Sequence, residues 1–170
     1  GELDSLYTSS VLAIRPKTGE IACYYQYTPN DVYDVDGADE HILADIEING
    51  RQRKVMFQAN KNGFLYTIDR TNCELIAAHP FVKVNWSSGL DETGRPIPTP
   101  QPPGSPTWPG NQGGTNWYSP SYSPRTGLFY VSTWEGYGSV FNDAPQEYRQ
   151  GRSFVGGSPR SFVPVSDAPI

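Results

Sequence analysis

Three segments of this chain repeat one pattern, and the repeat limits the fold more than any other feature. VLAIRPKTGEIACYY (Val11 to Tyr25), FLYTIDRTNCELIAA (Phe64 to Ala78) and YSPSYSPRTGLFYVS (Tyr118 to Ser132) each read as a short strand, a tight turn and a second short strand. The turns fall near residues 16–19, 69–73 and 124–127, and their threonines, Thr18, Thr71 and Thr126, are 53 and 55 residues apart. Thr-Gly in such a turn suits a hairpin in which Gly takes positive φ. Asn72 stands where the second copy lacks Gly, and Asn is the next residue to tolerate that conformation. Strand-turn-strand units at a period near 50 residues are the signature of propeller blades, each a four-stranded sheet. Between the first two turns, His41 to Ile48 and Lys54 to Ala59 read as two further strands joined across Asn49-Gly50, a strong hairpin signal.

Composition agrees with an all-β chain. Gly 17 and Pro 16 in 170 residues, with 11 Tyr, suit many turns and short strands and argue against long helices. The residues 87–114 are so rich in Pro and Gly that they read as a long loop laid on the surface, closed to central strands. About three blade-like units fit into residues 1–170, taken as one partial β-propeller. A closed propeller needs at least four blades, and a β-sandwich with chance similarity among its turns is the alternative. A net charge of -5 argues against a nucleic-acid partner, which calls for a basic face. No apolar run is long enough to span a membrane as a helix. Cys23 and Cys73 leave a disulfide open, because their separation in space cannot be read from their positions.

Chemistry concentrates in Tyr27 to Asp39, YTPNDVYDVDGAD. On an extended backbone Asp34 and Asp36 point to one side. One carboxylate could then take a proton while the other holds a hard cation, although Asp36 could equally do no more than cap the turn at Gly37. An EF-hand is excluded: with Gly37 at its sixth position, Val32 and Leu43 would occupy the first and twelfth, where ligands are required. Lys61, in ANKNG, reads by itself as a solvated turn residue.

Taken in order, LYTSSVLAI, TGEI, YYQYTPNDVYDVDG, QANKNGFLYTIDRTN, PFVKVNW and GGTNWYSPSYSPRTGLFYV resemble the central part of the pyrroloquinoline quinone (PQQ)-dependent alcohol dehydrogenases, from about Leu6 to Gly157. The resemblance implies an all-β fold of about three blades of an eight-bladed β-propeller, within a larger periplasmic enzyme. It implies oxidation of a small primary alcohol to an aldehyde, PQQ as cofactor and a cytochrome c-type electron acceptor; a homodimer stays open. It places the general base at Asp34 and makes Asp34 and Asp36 metal ligands. An Asp at position 36 resembles the lanthanide-using members, with Ca2+ the alternative, and a trivalent ion gains more from an added carboxylate. It places Lys61 and Asn116 on the quinone, with Trp117 either lining the same pocket or filling propeller core. The family's Trp that docks neighbouring blades is replaced here by Cys23. The remaining metal and quinone ligands are expected from other blades, so the chain alone is expected to be inactive. A non-catalytic propeller serving as a binding or assembly scaffold is the alternative function.

Overall fold

The computed structural model describes residues 3–37 and 39–154, and the backbone of 161–163. Its regular elements are all strands; no helix occurs among the described residues. β1 (Ser10–Ile14) and β2 (Ile21–Gln26) form an antiparallel hairpin. β3 (Ile42–Ile48), β4 (Arg51–Ala59), β5 (Phe64–Asp69) and β6 (Leu75–Pro80) form a four-stranded meander in chain order, the layout of one complete blade. β10 (Ser121–Ser123) and β11 (Leu128–Tyr130) make the third repeated hairpin.

All three repeated turns close alike. The amides of Gly19, Cys73 and Gly127 donate to the carbonyls of Arg15, Asp69 and Ser123 at 2.9, 2.8 and 2.8 Å. The left-handed residue is the donor each time, with φ 74°, 62° and 71°. The second turn therefore sits one residue later than its threonine suggests: Cys73, not Asn72, takes the glycine position. The β3–β4 turn is as expected, with Asn49 at φ 52° and Gly50 at φ 75°, the two positive values that a type I′ hairpin needs.

Residues 87–114 are not one long loop. They contain β7 (Ser87–Leu90), β8 (Pro96–Pro98) and β9 (Pro106–Thr107). β7 and β8 pair only with each other, and β9 lies on the edge of a sheet whose middle strand is β12 (Gly138–Val140) and whose far strand is β13 (Ser161–Val163). Prolines are confined to such positions because they cannot donate to a ladder.

The core lies between the β1–β2 hairpin and the blade. Tyr25, Tyr27, Met56, Phe64, Tyr66, Ile68 and Trp86 form one buried cluster. The rings of Tyr25, Tyr27 and Tyr66 meet at centroid distances of 4.8 to 5.6 Å. Their hydroxyls are satisfied inside: Tyr25 donates to the Gly94 carbonyl at 2.5 Å, and Tyr27 lies 2.9 Å from His41 Nε2. Burial raises the pKa of all three above the ordinary tyrosine range, so they remain neutral donors.

Cys23 and Cys73 are joined in a disulfide, which resolves what their positions left open. The bridge ties β2 to the β5–β6 turn, and so the first hairpin to the blade.

Candidate functional site

The loop from Tyr27 to Asp39 leaves β2 and returns to β3. It is not extended at Asp34, which sits at φ 60°, and that removes the premise on which Asp34 and Asp36 were expected to align. The two still face outward together, because the residues on either side of Asp34 are held inward. Val35 is buried, and the Tyr33 ring packs 4.6 Å from that of Phe141. The Asp31 carboxylate organises the turn, accepting the Tyr33 amide on Oδ1 at 2.9 Å and the Val35 amide on Oδ2 at 2.8 Å. Asp31, Asp34 and Asp36 all line an open hollow of about 550 Å3, with Ser5, Thr8 and Ser9.

Lys61, from the turn after β4, contacts both Asp34 and Asp36. Its side chain is only 12% exposed, so it is no solvated turn residue. Its ammonium donates to the Asp34 carbonyl at 2.5 Å and lies 3.8 Å from Asp36 Oδ1. The tight turn after β4 holds it there. Asn60 Oδ1 accepts the Asn62 amide at 3.0 Å, Asn62 Oδ1 accepts the Phe64 amide at 3.1 Å, and the Asn60 side-chain amide donates to Gln58 Oε1 at 3.1 Å. Asn62 Nδ2 also reaches Thr28 and Tyr66, while Trp86 Nε1 donates to the Asn62 carbonyl at 2.9 Å. Gln58, Asn60 and Asn62 are all buried. This polar spine went unremarked in the sequence. The signal was there: amide side chains at alternate positions around Lys61, which fit neither a strand face nor an ordinary surface turn.

A second unforeseen residue is Asp39, 7% exposed, whose carboxylate oxygens make no well-formed hydrogen bond among the described residues. Burial pushes its pKa up to about 6. The backbone amide and charge of Lys61 oppose that rise, and the charge of Asp36 adds to it. Gln58 Nε2 donates to its backbone carbonyl at 3.3 Å.

Gly113 and Gly114 bring the backbone close to that of Lys61. The Gly114 amide donates to the Lys61 carbonyl at 2.9 Å. A Cβ on Gly113 would lie 2.7 Å from that same carbonyl oxygen. Asn116 follows at once, but its amide is used locally: Nδ2 donates to the Gln112 carbonyl at 2.8 Å, and Oδ1 accepts the Trp117 amide. Trp117 is 81% exposed and fills no core within this chain.

The loop therefore brings Asp34, Asp36 and Lys61 together and keeps Asn116 and Trp117 on the strand-connecting segment behind Lys61. Among the described residues no group of three or more His, Cys, Asp or Glu side chains is placed to hold a metal ion. Asp36, with its carboxylate 64% exposed, and Asp34 are hard oxygen donors that fit a Ca2+-like or trivalent ion, as part of a shell that takes about 6–8 oxygens.

Comparison with known proteins agrees with the geometry. The sequence pattern of the PQQ-type glucose/ethanol/alcohol dehydrogenase β-propeller domain matches residues 2–103. A 1-butanol dehydrogenase (cytochrome c) from Thauera butanivorans is 51% identical over 75% of this chain and 19% of its own length. Quinohemoprotein alcohol dehydrogenase ADH IIB from Pseudomonas putida is 43% identical over 89% of this chain and 22% of its own. Among solved structures, a europium-containing methanol dehydrogenase superposes with TM-score 0.83 at 32% identity, over 94% of this chain and 28% of the other. The quinohemoprotein alcohol dehydrogenase of Comamonas testosteroni superposes with TM-score 0.76 at 34% identity, over 98% and 26%. The chain spans about a fifth of the length of the two curated relatives it is compared with here. With the blade meander, the repeated hairpins and the carboxylate loop all in place, the chain belongs to the PQQ-dependent glucose/ethanol/alcohol dehydrogenase family and forms part of its β-propeller.

Proposed function

We propose that this chain supplies the proton-accepting face and two metal-ligating carboxylates of a PQQ-dependent enzyme that oxidises small primary alcohols to aldehydes in the periplasm. The observation that carries the reading is the Lys61 ammonium, which spans the Asp34 carbonyl and the Asp36 carboxylate, two residues that line one hollow. When bound, PQQ accepts hydride and the metal ion polarises the quinone as a Lewis acid.

The chain's own part is proton and charge handling. The Asp34 carboxylate takes the proton from the alcohol hydroxyl as the C–H bond breaks, a task for a carboxylate within hydrogen-bond reach. Asp36 adds one more negative ligand to the cation, which favours a lanthanide ahead of Ca2+. Lys61 is held by the buried Gln58–Asn60–Asn62 spine, and its fixed positive charge would stabilise electron density gained by a quinone oxygen bound there. Asn116 and Trp117 follow Gly113-Gly114, which seats against Lys61, and would contact the quinone from that side. Reducing equivalents pass to a cytochrome c-type acceptor. The Cys23–Cys73 bridge supports an oxidising compartment.

The test is dye-linked alcohol oxidation by the full-length enzyme, reconstituted with PQQ and either lanthanum or calcium. Lanthanum is expected to support turnover, Asp36→Ala to lose the lanthanum-supported rate first, and Asp34→Asn to retain PQQ while losing turnover. Turnover undiminished in Asp34→Asn refutes the assignment of the base, and PQQ-free, inactive protein with either metal favours a scaffold.

A further inference from the structure

Asp34 is an unusual place for a base. Its φ of 60° is a conformation that L residues other than Gly, Asn and Asp rarely adopt, and it costs on the order of 1 kcal/mol. Some feature must hold the residue there. The loop offers no ladder, since residues 28–37 lie outside every strand. What spans the strained residue is Asp31. One of its oxygens accepts the amide of Tyr33 and the other accepts the amide of Val35, the residues before and after Asp34, at 2.9 and 2.8 Å. The two bonds pin the peptide that enters Tyr33 and the peptide that leaves Asp34, so the two-residue span between them is held at both ends and the direction of the Asp34 side chain with it.

We infer that Asp31 is a positioning residue for Asp34: its carboxylate clamps the Tyr33 and Val35 amides and so aims the Asp34 carboxylate into the hollow. The inference rests on the reading of Asp34 as the base. The chemistry of the clamp requires a carboxylate. Two acceptor oxygens on one planar group match two N–H donors facing the same way, and bonds to an ionised acceptor are about twice as strong as neutral ones. An asparagine placed as Asp31 is here keeps one of the two bonds, because its NH2 meets the second amide as donor against donor. Burial raises the pKa of Asp31, with the charges of Asp36 and Asp34 adding to the rise, while the two amide bonds lower it. A half-buried, repelled carboxylate kept beside two others is costly, and a mere loop staple could be built without that cost. Ser, for example, caps a turn with no charge. The anchors are consistent with aiming, because Tyr33 and Val35, whose amides are clamped, are also the inward-packed residues.

The experiment compares Asp31→Asn, Asp31→Ala and Asp34→Asn in the full-length PQQ enzyme. kcat is normalised to bound PQQ, KM for the alcohol is determined in parallel, and amide hydrogen exchange of residues 31–37 is followed in the cofactor-free protein. A misplaced catalytic group costs on the order of 10²-fold in rate. Asp31→Ala is expected to lose about that in kcat with KM little changed, and Asp31→Asn to fall between it and the wild type. Exchange at Tyr33 and Val35 is expected to quicken in the same order. Asp31→Asn is near-isosteric and keeps the test decisive should the alanine variant fail to fold. Wild-type kcat per bound PQQ in Asp31→Asn, while Asp34→Asn is inactive, overturns the positioning role. Full activity in Asp34→Asn overturns the base reading instead, so the two failures are told apart.

Discussion

Breaking the Cys23–Cys73 bridge should loosen one seam of the propeller by an amount that the chain entropy sets. The bridge closes a loop with a sequence separation of 50. Cross-linking ends that far apart removes about 14 cal/mol/K from the unfolded ensemble, or about 4 kcal/mol at 25 °C. That is a large part of the roughly 5–15 kcal/mol by which a typical domain is stable. The perturbation is Cys23→Ala with Cys73→Ala in the full-length enzyme, and the assay is native-state hydrogen exchange of β2 and of the β5–β6 turn. A loss of about 4 kcal/mol in the opening free energy corresponds to exchange about three orders of magnitude faster. Either single variant breaks the same bond, so each should cost nearly what the pair costs. The geometry adds a finer expectation. Cys73 sits at φ 62°, where a side chain is strained by roughly 1–2 kcal/mol. Cys73→Gly in the Cys23→Ala background should therefore open less readily than Cys73→Ala by about 1 kcal/mol. Exchange accelerated less than about tenfold in the double alanine variant, or single effects that sum to the double, would refute the loop-closure argument.

Two further perturbations test the ground beneath Lys61. The Asp39 pKa is raised from 3.8 to about 6, so the folded metal-free protein binds that proton more tightly than the unfolded chain does, and the stability linked to it is full below about pH 4 and lost as pH rises through about 6. Asp39→Asn should therefore gain on the wild type by about 3 kcal/mol between pH 4 and 8 in paired denaturant titrations; a difference that stays flat with pH contradicts the buried charge. Gly113→Ala places a Cβ against the Lys61 carbonyl at φ 84°, and should lower stability by about 2 kcal/mol or more and reduce PQQ affinity; an unchanged Tm and an unchanged PQQ titration would show that the loop relaxes freely.

What could be read from the sequence was what local chemistry decides. Asn49-Gly50 specified its own turn, because two consecutive left-handed residues have few solutions other than a type I′ hairpin. The repeated turns were visible for the same reason, but the second was aligned on Thr71 when the backbone aligns on Cys73. A left-handed cysteine gives no signal in a pattern that looks for Gly or Asn, and the disulfide to Cys23 that holds it is a contact across 50 residues. The short strands of residues 87–114 were hidden because each makes only one or two ladder pairs, too few to impose alternation on a proline-rich run.

The carboxylate loop shows the same limit at the level of function. Asp34 and Asp36 were found through a spacing that implied a strand, and they do face one side, but the cause is different. Buried neighbours and a clamp from Asp31 turn Asp34 outward through a strained φ. Spacing reports which side chains can share a face; it does not report which backbone groups need a partner. Asp31, Asn60 and Asn62 are all answers to that second question, each accepting an amide that no ladder serves. In a loop that must hold charged side chains still, the unpaired amides are where positioning residues are to be sought, and Asp31 is the one that spans the proposed base.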